Sequence, residues 1–595
     1  MARRTVFLAF VSLILLLVVF EDCSIGTSRT WSGSLQEAID AANPGDIIRV
    51  PSGTYYEHLV VTKSLTLIGE GNATTIIDGN GTGTVMTVKA SSVYISGFTI
   101  QRGGDEQPGV LLDHVTNSTI EGNRISDNNY GIFLSNSEKN TIKDNFVNGN
   151  MWGIFLEDSR NIVIRSNTIS NNYRRAVNLD SSDNNIIDEN IVKDHVQGIY
   201  LTSSSNNLLQ NNNLTGNTYG FGVFGSELAH FIQNMDDSNL IDGKPILYWV
   251  NQHDKQIQAD ASYIAVVNST GITVKDLKLT HHQEGPLFAY TVNSTIENMY
   301  ISNAKCGLRL ISCEGFKMTD NMLSGNAKGL RLDYSVNNII KRNIITENHE
   351  GIFLDNSRDN IIAGNTMSDN IRGMFVYYSI HNIIHHNNFI NNEKHVFIAL
   401  HRIIVINVWE MNSEGNYWSD HAGSDLDEDG IGSDPYILDT LNQDNHPLMG
   451  LFYDFTVTRE ETSEHVAATS NSTISNFNFS EGVISFDVAN ADLTTGFCRV
   501  TIPLSLLDRP YEVLVDGSPP LALKELASSN STHAILYFTY EHSTRKVIIV
   551  PEYSLVTLLL FTLVTLAITA VHWPSRTRKS VTNEISEDSL WKPKA

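Results

Sequence analysis

The sequence predicts an all-β molecule, a right-handed parallel β-helix, on three observations. First, phase markers recur with a period of 22 residues: Gly109, Gly131, Gly153, Ala176, Gly198 and Gly220, then Gly285, Gly307, Gly329, Gly351 and Gly373. Second, the markers open alternating apolar runs such as Gly131-Ile-Phe-Leu and Gly351-Ile-Phe-Leu, too short for helical turns and rich in β-branched residues. Third, asparagines follow most markers at fixed offsets, Asn123, Asn145, Asn167, Asn321, Asn343 and Asn365 in one column and Asn128, Asn150, Asn172, Asn326 and Asn348 in another, with His195 taking one place. Such a period marks a solenoid whose repeats cannot fold singly, and equivalent residues of successive coils stack at ~4.8 Å. The asparagines suit the corners, where Asn tolerates left-handed backbone angles and stacked amides can form a ladder.

In chain order, residues 1–26 carry Arg3 and Arg4 before an apolar run, the form of a secretory signal peptide. Residues 27–56 hold Ser34-Leu-Gln-Glu-Ala-Ile-Asp-Ala-Ala, a short helix with a capping box that plugs the open end, followed by the first strands. The β-helix occupies 57–450, with an insertion at about 226–284 where Asp242-Gly-Lys-Pro-Ile-Leu-Tyr-Trp-Val breaks the repeat and the coils are expected to continue beneath it. Residues 451–552 change to longer strands and read as a β-sandwich domain. Residues 553–573 are apolar enough to cross a bilayer as one helix, and Arg576, Arg578 and Lys579 place the tail, 574–595, in the cytoplasm. The expectation is a single-pass protein of the cell membrane with its ectodomain outside.

A net charge of −25 speaks against a nucleic-acid partner and suits a solvated surface protein. Nine Asn-x-Ser/Thr sequons are candidate glycosylation sites. Past the signal, Cys306, Cys313 and Cys498 give no disulfide framework.

Three constellations could carry chemistry. Asp425, Asp427 and Asp429 alternate before Gly430, with Asp434 beyond, resembling the first half of a calcium loop. The fourth position after the markers holds Asp113, Glu157, Asp180, Asp333 and Asp355. Tyr334, Tyr377 and Tyr378 stand beside or above these acids, so the column could bind glycans. Vertical neighbours such as Asp333 and Asp355 would also lie at the spacing of a retaining glycosidase pair. Finally His381, His385 and His386, with Met367 and Met374 nearby, are ligand types that suit copper. Adjacent residues of a strand face opposite sides, however, and no His-x-His run appears, so copper is the less expected metal and calcium the more expected.

The segment Ser34-Leu-Gln-Glu-Ala-Ile-Asp-Ala-Ala-Asn-Pro-Gly-Asp, the Gly-Ile-Phe-Leu repeats and Gly415-Asn-Tyr-Trp-Ser-Asp resemble the NosD-type β-helix proteins. These belong to the wider pectin-lyase-like group with carbohydrate-binding and sugar-hydrolase modules. The sandwich and C-terminal anchor look like those of archaeal surface proteins. The resemblance implies an extracellular β-helix that binds a polysaccharide or cell-envelope glycan or serves as a surface module. Its alternatives are a polysaccharide lyase or glycoside hydrolase, and a periplasmic-type copper-binding or delivery protein.

Overall fold

The computed structural model describes residues 28–552 apart from 31, 32, 259, 281–283, 400–404, 460, 461 and 493. The expected signal peptide, membrane span and tail lie outside the described residues. Among those described, no helix is long and apolar enough to cross a membrane.

The chain up to Asp454 forms one unit, and its coils are right-handed parallel β-helix. Each coil contributes three strands. The marker strand is the longest, as in Tyr130–Ser135, Trp152–Glu157 and Glu350–Asp355, and the other two have three residues, as in Thr141–Lys143 and Phe146–Asn148. Strands stack in parallel register on equivalent strands of the next coil, so Phe133 lies over Phe155 and Leu134 over Leu156. Most marker positions carry glycine because backbones approach closely there: a Cβ on Gly351 would run into the Gly373 carbonyl oxygen, and Ala176 is the exception.

The helix Leu35–Ala41 closes the N-terminal end with Leu35, Ala38 and Ile39 buried. Ser34 accepts from the Glu37 amide, which is one of the two bonds of the expected capping box. Glu57, from the next coil, accepts from the amides of Leu35 and Gln36, adding negative charge at the helix N-terminus.

Asparagine has the ladder role expected, and the left-handed angles fall to the residue before most ladder positions, itself an asparagine at Asn171, Asn211 and Asn337. Asn145 and Asn167 are buried, and the residues before them, Asp144 and Ser166, take φ of 57° and 54°. Asn145 Nδ2 donates to Asn167 Oδ1 at 3.0 Å and to the carbonyls of Ile120 and Lys143. A further column, Asn338, Asn360, Asn382, Asn407 and Asn442, forms another ladder that the marker spacing alone did not reveal.

His195 takes an asparagine's place, accepting from Asn172 through Nε2 and donating from Nδ1 to Asn217 Oδ1, each at 3.0 Å. Burial pushes its imidazole down to about 4, so it stays neutral. The unfolded imidazole takes up a proton near pH 6.5, whereas the folded one does so only near 4. Stability is therefore full above 6.5 and falls by about 3 kcal/mol as pH drops to 4. His195→Asn restores the regular rung, and its denaturation midpoint should lose this part of the slope between pH 6.5 and 4. A wild-type slope retained by the variant would refute this assignment.

Segment 226–284 differs from the expectation of an insertion over continuous coils. Marker strands of the first stack end at Tyr219–Phe224. Leu240–Ile241 then pairs antiparallel with the start of Lys244–Val250, whose remainder pairs parallel with Tyr263–Val267. From there a second stack begins, with its own core. Tyr263, Ala265, Val267, Leu287 and Ala289 point into the first core, while Ile264, Val266 and Phe288 point into the second. A sheet buried on both faces requires an unbroken apolar run, and Tyr-Ile-Ala-Val-Val supplies one. The chain thus builds two stacks around a shared sheet.

At the C-terminal end of the second stack, the rings of Phe389, Trp418 and Tyr436 stack with centroids 4.3 Å apart at each step. Trp418 Nε1 and the Asn416 amide both donate to Asp444, which terminates the Asn321 to Asn416 ladder. Burial pushes the Asp444 carboxyl up to about 6.

The second unit, from Phe455, is built largely from two antiparallel sheets. One contains Thr462–Ser470, Thr495–Pro503, His533–Glu541 and Ala522–Glu525, and the other Thr473–Ser480, Val483–Ala489, Arg545–Pro551 and Tyr511–Val515. Alternation is regular in Val483–Ala489, where Ile484, Phe486 and Val488 are buried. Cys306, Cys313 and Cys498 are all free and buried.

Candidate functional site

The outward side of the marker strands is the most chemically distinctive surface. Alternation holds from the third residue of a marker strand onward and is broken at the marker glycine, so in Tyr130–Ser135, Trp152–Glu157 and Arg372–Tyr377 the first, fourth and sixth residues are the ones left partly exposed. In the second stack the fourth positions give the column Arg309, Arg331, Phe353, Phe375 and Phe397, register partners in successive coils. The rings of Phe353 and Phe375 stack with centroids 4.8 Å apart, and those of Phe375 and Phe397 lie 5.0 Å apart. All three are half-buried. The first stack has a second platform of Tyr130, Phe133, Trp152 and Phe155, with Phe133 and Phe155 packed edge to face at 5.3 Å. Between the platforms, Tyr200 is wholly buried and stacks on Phe224.

Cations lie over these rings. Lys328 and Arg331 approach Phe353 at 4.9 and 5.1 Å, and Arg372 lies over Phe375 and Phe397 at 5.3 and 5.1 Å. The sequence reading missed this arrangement because it followed the acidic column and not the fourth position of the strand.

The acidic column itself is divided. Asp113, Glu157 and Asp180 lie on the first stack, aligned through Ser135, while Asp333, Asp355 and Tyr377 are consecutive partners on the second. Asp333 is 4% exposed, and Arg309 Nε at 3.1 Å and Arg331 Nε at 2.7 Å both donate to it. Its oxygens are thus taken up by two guanidiniums and are not free to attack a substrate. Burial raises the Asp355 carboxyl, and the Asp333 charge adds to this while Arg331 opposes it. Tyr377 and Tyr378 pack edge to face at 4.2 Å. Tyr334 is 61% exposed, with φ of 51° turning it out of the strand.

Asp425, Asp427 and Asp429 bring one oxygen each within 4.8 Å of one another. Both Asp425 oxygens also accept from the loop's own amides, those of Asp429 and Gly430. Asp434 is turned elsewhere, accepting from the amide and hydroxyl of Ser424, which hold its carboxyl low.

His385 and His386 do not face opposite sides: their Nδ1 atoms are 2.6 Å apart. His386 sits at a corner with φ of 55°, which breaks the alternation of the strand. Its Nε2 is bonded to Glu414 at 2.7 Å. Burial first, then the neighbouring His386 and Lys341 charges, push His385 down to about 3. His381 is mostly exposed and lies 3.9 Å from Asp359. Met367 and Met374 are fully buried in the core.

Such a chain is a two-stack parallel β-helix protein with an aromatic and cationic outer face. A family model described as periplasmic copper-binding protein (NosD) matches residues 69–249 and 242–423. The chain belongs to the NosD family. It is also similar to a cell surface glycoprotein of Methanothermus fervidus, with 37% identity over 130 residues, 20% of this chain and 21% of that protein. The chain thus spans about a fifth of the curated relative it matches. Among solved structures, it resembles the A-module of a mannuronan C-5 epimerase from Azotobacter vinelandii, at 12% identity, covering 63% of this chain and 92% of that one, with a TM-score of 0.25. It also resembles a family 28 exopolygalacturonase of Yersinia enterocolitica, at 10% identity, covering 61% and 74%, with a TM-score of 0.29.

The family description raises copper, and among the described residues no group of three ligand atoms is built from the donors that copper favours. Among the described residues, the one grouping of three His, Cys, Asp or Glu ligand atoms is the carboxylate set Asp425, Asp427 and Asp429. Those are hard oxygen donors, whereas copper favours imidazole and thioether.

Proposed function

We propose that this chain is a non-catalytic glycan-binding protein of the cell surface, anchored by one C-terminal helix at 553–573. The carrying observation is the half-exposed ring column Phe353, Phe375 and Phe397, an apolar strip along the coil axis against which sugar rings can pack. The similarity to a cell surface glycoprotein supports the location. The clamp on Asp333 weighs against the lyase or hydrolase alternative.

The test is retention of the full chain, solubilised in a non-ionic detergent, on a panel of immobilised neutral and acidic polysaccharides. Phe375→Ala should weaken retention about fivefold, the loss of roughly 1 kcal/mol of ring contact. A folded protein retained by no polysaccharide would overturn the reading and leave a structural surface rod. Reducing or unsaturated sugar ends in the wash would replace it with an enzyme.

Calcium at Asp425, Asp427 and Asp429 is part of the same proposal, because three carboxylates of alternate residues converge beside the turn at Gly430. Bound calcium stabilises the folded state by mass action. Added calcium should therefore raise the melting temperature of the wild type but not of Asp427→Ala. Equal shifts in both would remove calcium from this loop.

A further inference from the structure

We infer that the marker face of the second stack takes an acidic polysaccharide, one bearing carboxylate or sulfate groups. The inference rests on the glycan-binding reading and narrows its ligand.

The argument begins with two buried carboxylates. Lys328, Glu350, Arg372 and Lys394 are register partners in four successive coils. Glu350 is 5% exposed and lies between Lys328 Nζ at 2.7 Å and Arg372 Nη1 at 3.1 Å. Asp333 is placed in the same way between Arg309 and Arg331. Each carboxylate neutralises one of its two cations, so each trio keeps one positive charge in excess. Lys394 ends the first column on an exposed position, with Nζ 4.8 Å from the Phe397 ring centre.

Cations outnumber the carboxylates paired with them along this face. Lys305, Arg309, Lys328, Arg331, Arg372 and Lys394 stand against four carboxylates, Glu284, Asp333, Glu350 and Asp355, on a chain whose net charge is −25. Lys305 and Arg309 lie over the Phe224 ring of the first stack at 5.2 and 5.7 Å, so the cationic surface continues across the junction. Arg331 bonds Asp333 through Nε and Arg372 bonds Glu350 through Nη1, and a guanidinium has five N–H groups, so each has donors left whose fork matches carboxylate and sulfate. The ring beside each offers the stacking surface. A run of three rings along the coil axis, flanked by Arg331 before it and by Arg372 and Lys394 beside it, therefore matches a polymer whose sugar rings carry anionic groups at their edges.

The sequons point the same way. None of Asn72, Asn80, Asn117, Asn213, Asn268, Asn293, Asn471, Asn478 and Asn530 falls within a marker strand. Sugars attached at any of them leave these strands themselves unmodified.

The test uses three matrices with one backbone: dextran, carboxymethyl-dextran and dextran sulfate. The full chain in non-ionic detergent should be retained on both charged forms at least about tenfold more than on dextran, and rising salt should release it as screening shortens the Debye length. Lys394→Glu, a change at an exposed position, should reduce retention about fivefold while circular dichroism stays unchanged. Equal retention on neutral and charged dextran overturns the acidic class and leaves glycan binding standing. Retention undiminished by Lys394→Glu places the charge recognition elsewhere and also overturns the inference. No retention on these three matrices overturns it too, and no retention on the wider panel removes the glycan reading as well. A concentration-dependent dimer lost in Lys394→Glu would assign the face to a second copy.

Discussion

Asn365→Ala should lower the unfolding free energy by about 3 to 5 kcal/mol, among the largest losses available to a single substitution in this chain. Asn365 is fully buried. Its Oδ1 accepts from the main-chain and side-chain amides of Asn343 at 3.0 and 2.8 Å. Its Nδ2 donates to the carbonyls of Ile340 and Ala363 and to Asn387 Oδ1. Alanine removes every one of these bonds and strands the main-chain amide of Asn343 away from water, while Asn343 Nδ2 keeps the carbonyls of Met318 and Lys341. Asn365→Asp keeps the acceptor but sets a carboxylate against three oxygens, so it should be as damaging at neutral pH and milder in acid, where the group is protonated. Urea unfolding of both variants at two pH values reads this directly. A midpoint within experimental scatter of wild type would mean that the ladder contributes nothing.

Asp333→Ala should cost a comparable amount, about 3 to 5 kcal/mol, because it breaks a buried ion cluster by removing one sign of charge. Arg309 and Arg331 are register partners in adjacent coils and would face each other without the carboxylate between them. Arg309→Met added to Asp333→Ala should recover much of the loss by removing one of the repelling charges. Thermal unfolding of the single and double variants decides this. If Asp333→Ala melted like wild type and instead abolished a sugar-cleaving activity, Asp333 would be catalytic and its clamp incidental.

The coil architecture was legible because its signals are local and repeated. Gly131-Ile-Phe-Leu fixes strand length, and the 22-residue period fixes which residues stack. The asparagine ladders were legible for the same reason, although the columns alone did not separate the ladder residue from its left-handed neighbour: Asp144 takes the strained angle so that Asn145 can point inward. The junction at 226–284 was harder. Its signal was present in Ile246-Leu-Tyr-Trp-Val and Tyr263-Ile-Ala-Val-Val, runs too apolar for a strand with one wet face. What such a run packs against is a long-range property that spacing does not carry. His385 and His386 show the same limit on a smaller scale, since strand alternation predicts opposite faces until a left-handed corner intervenes. The cationic and aromatic face was not legible because its residues come from the first and fourth positions of five successive marker strands, each ordinary within its own repeat.

The sheet shared by the two stacks has a mechanical consequence. A solenoid of like coils holds together through nearest neighbours, and tension on one end can peel it coil by coil. Here Tyr263–Val267 and Leu287–Ala289 contribute alternate side chains to both cores. Peeling the second stack back to this sheet would strip one wall from the first, so the force needed should rise at the junction instead of staying level. A molecule pulled from its C-terminal side should yield in two bursts, with the larger peak where the walls are held in common.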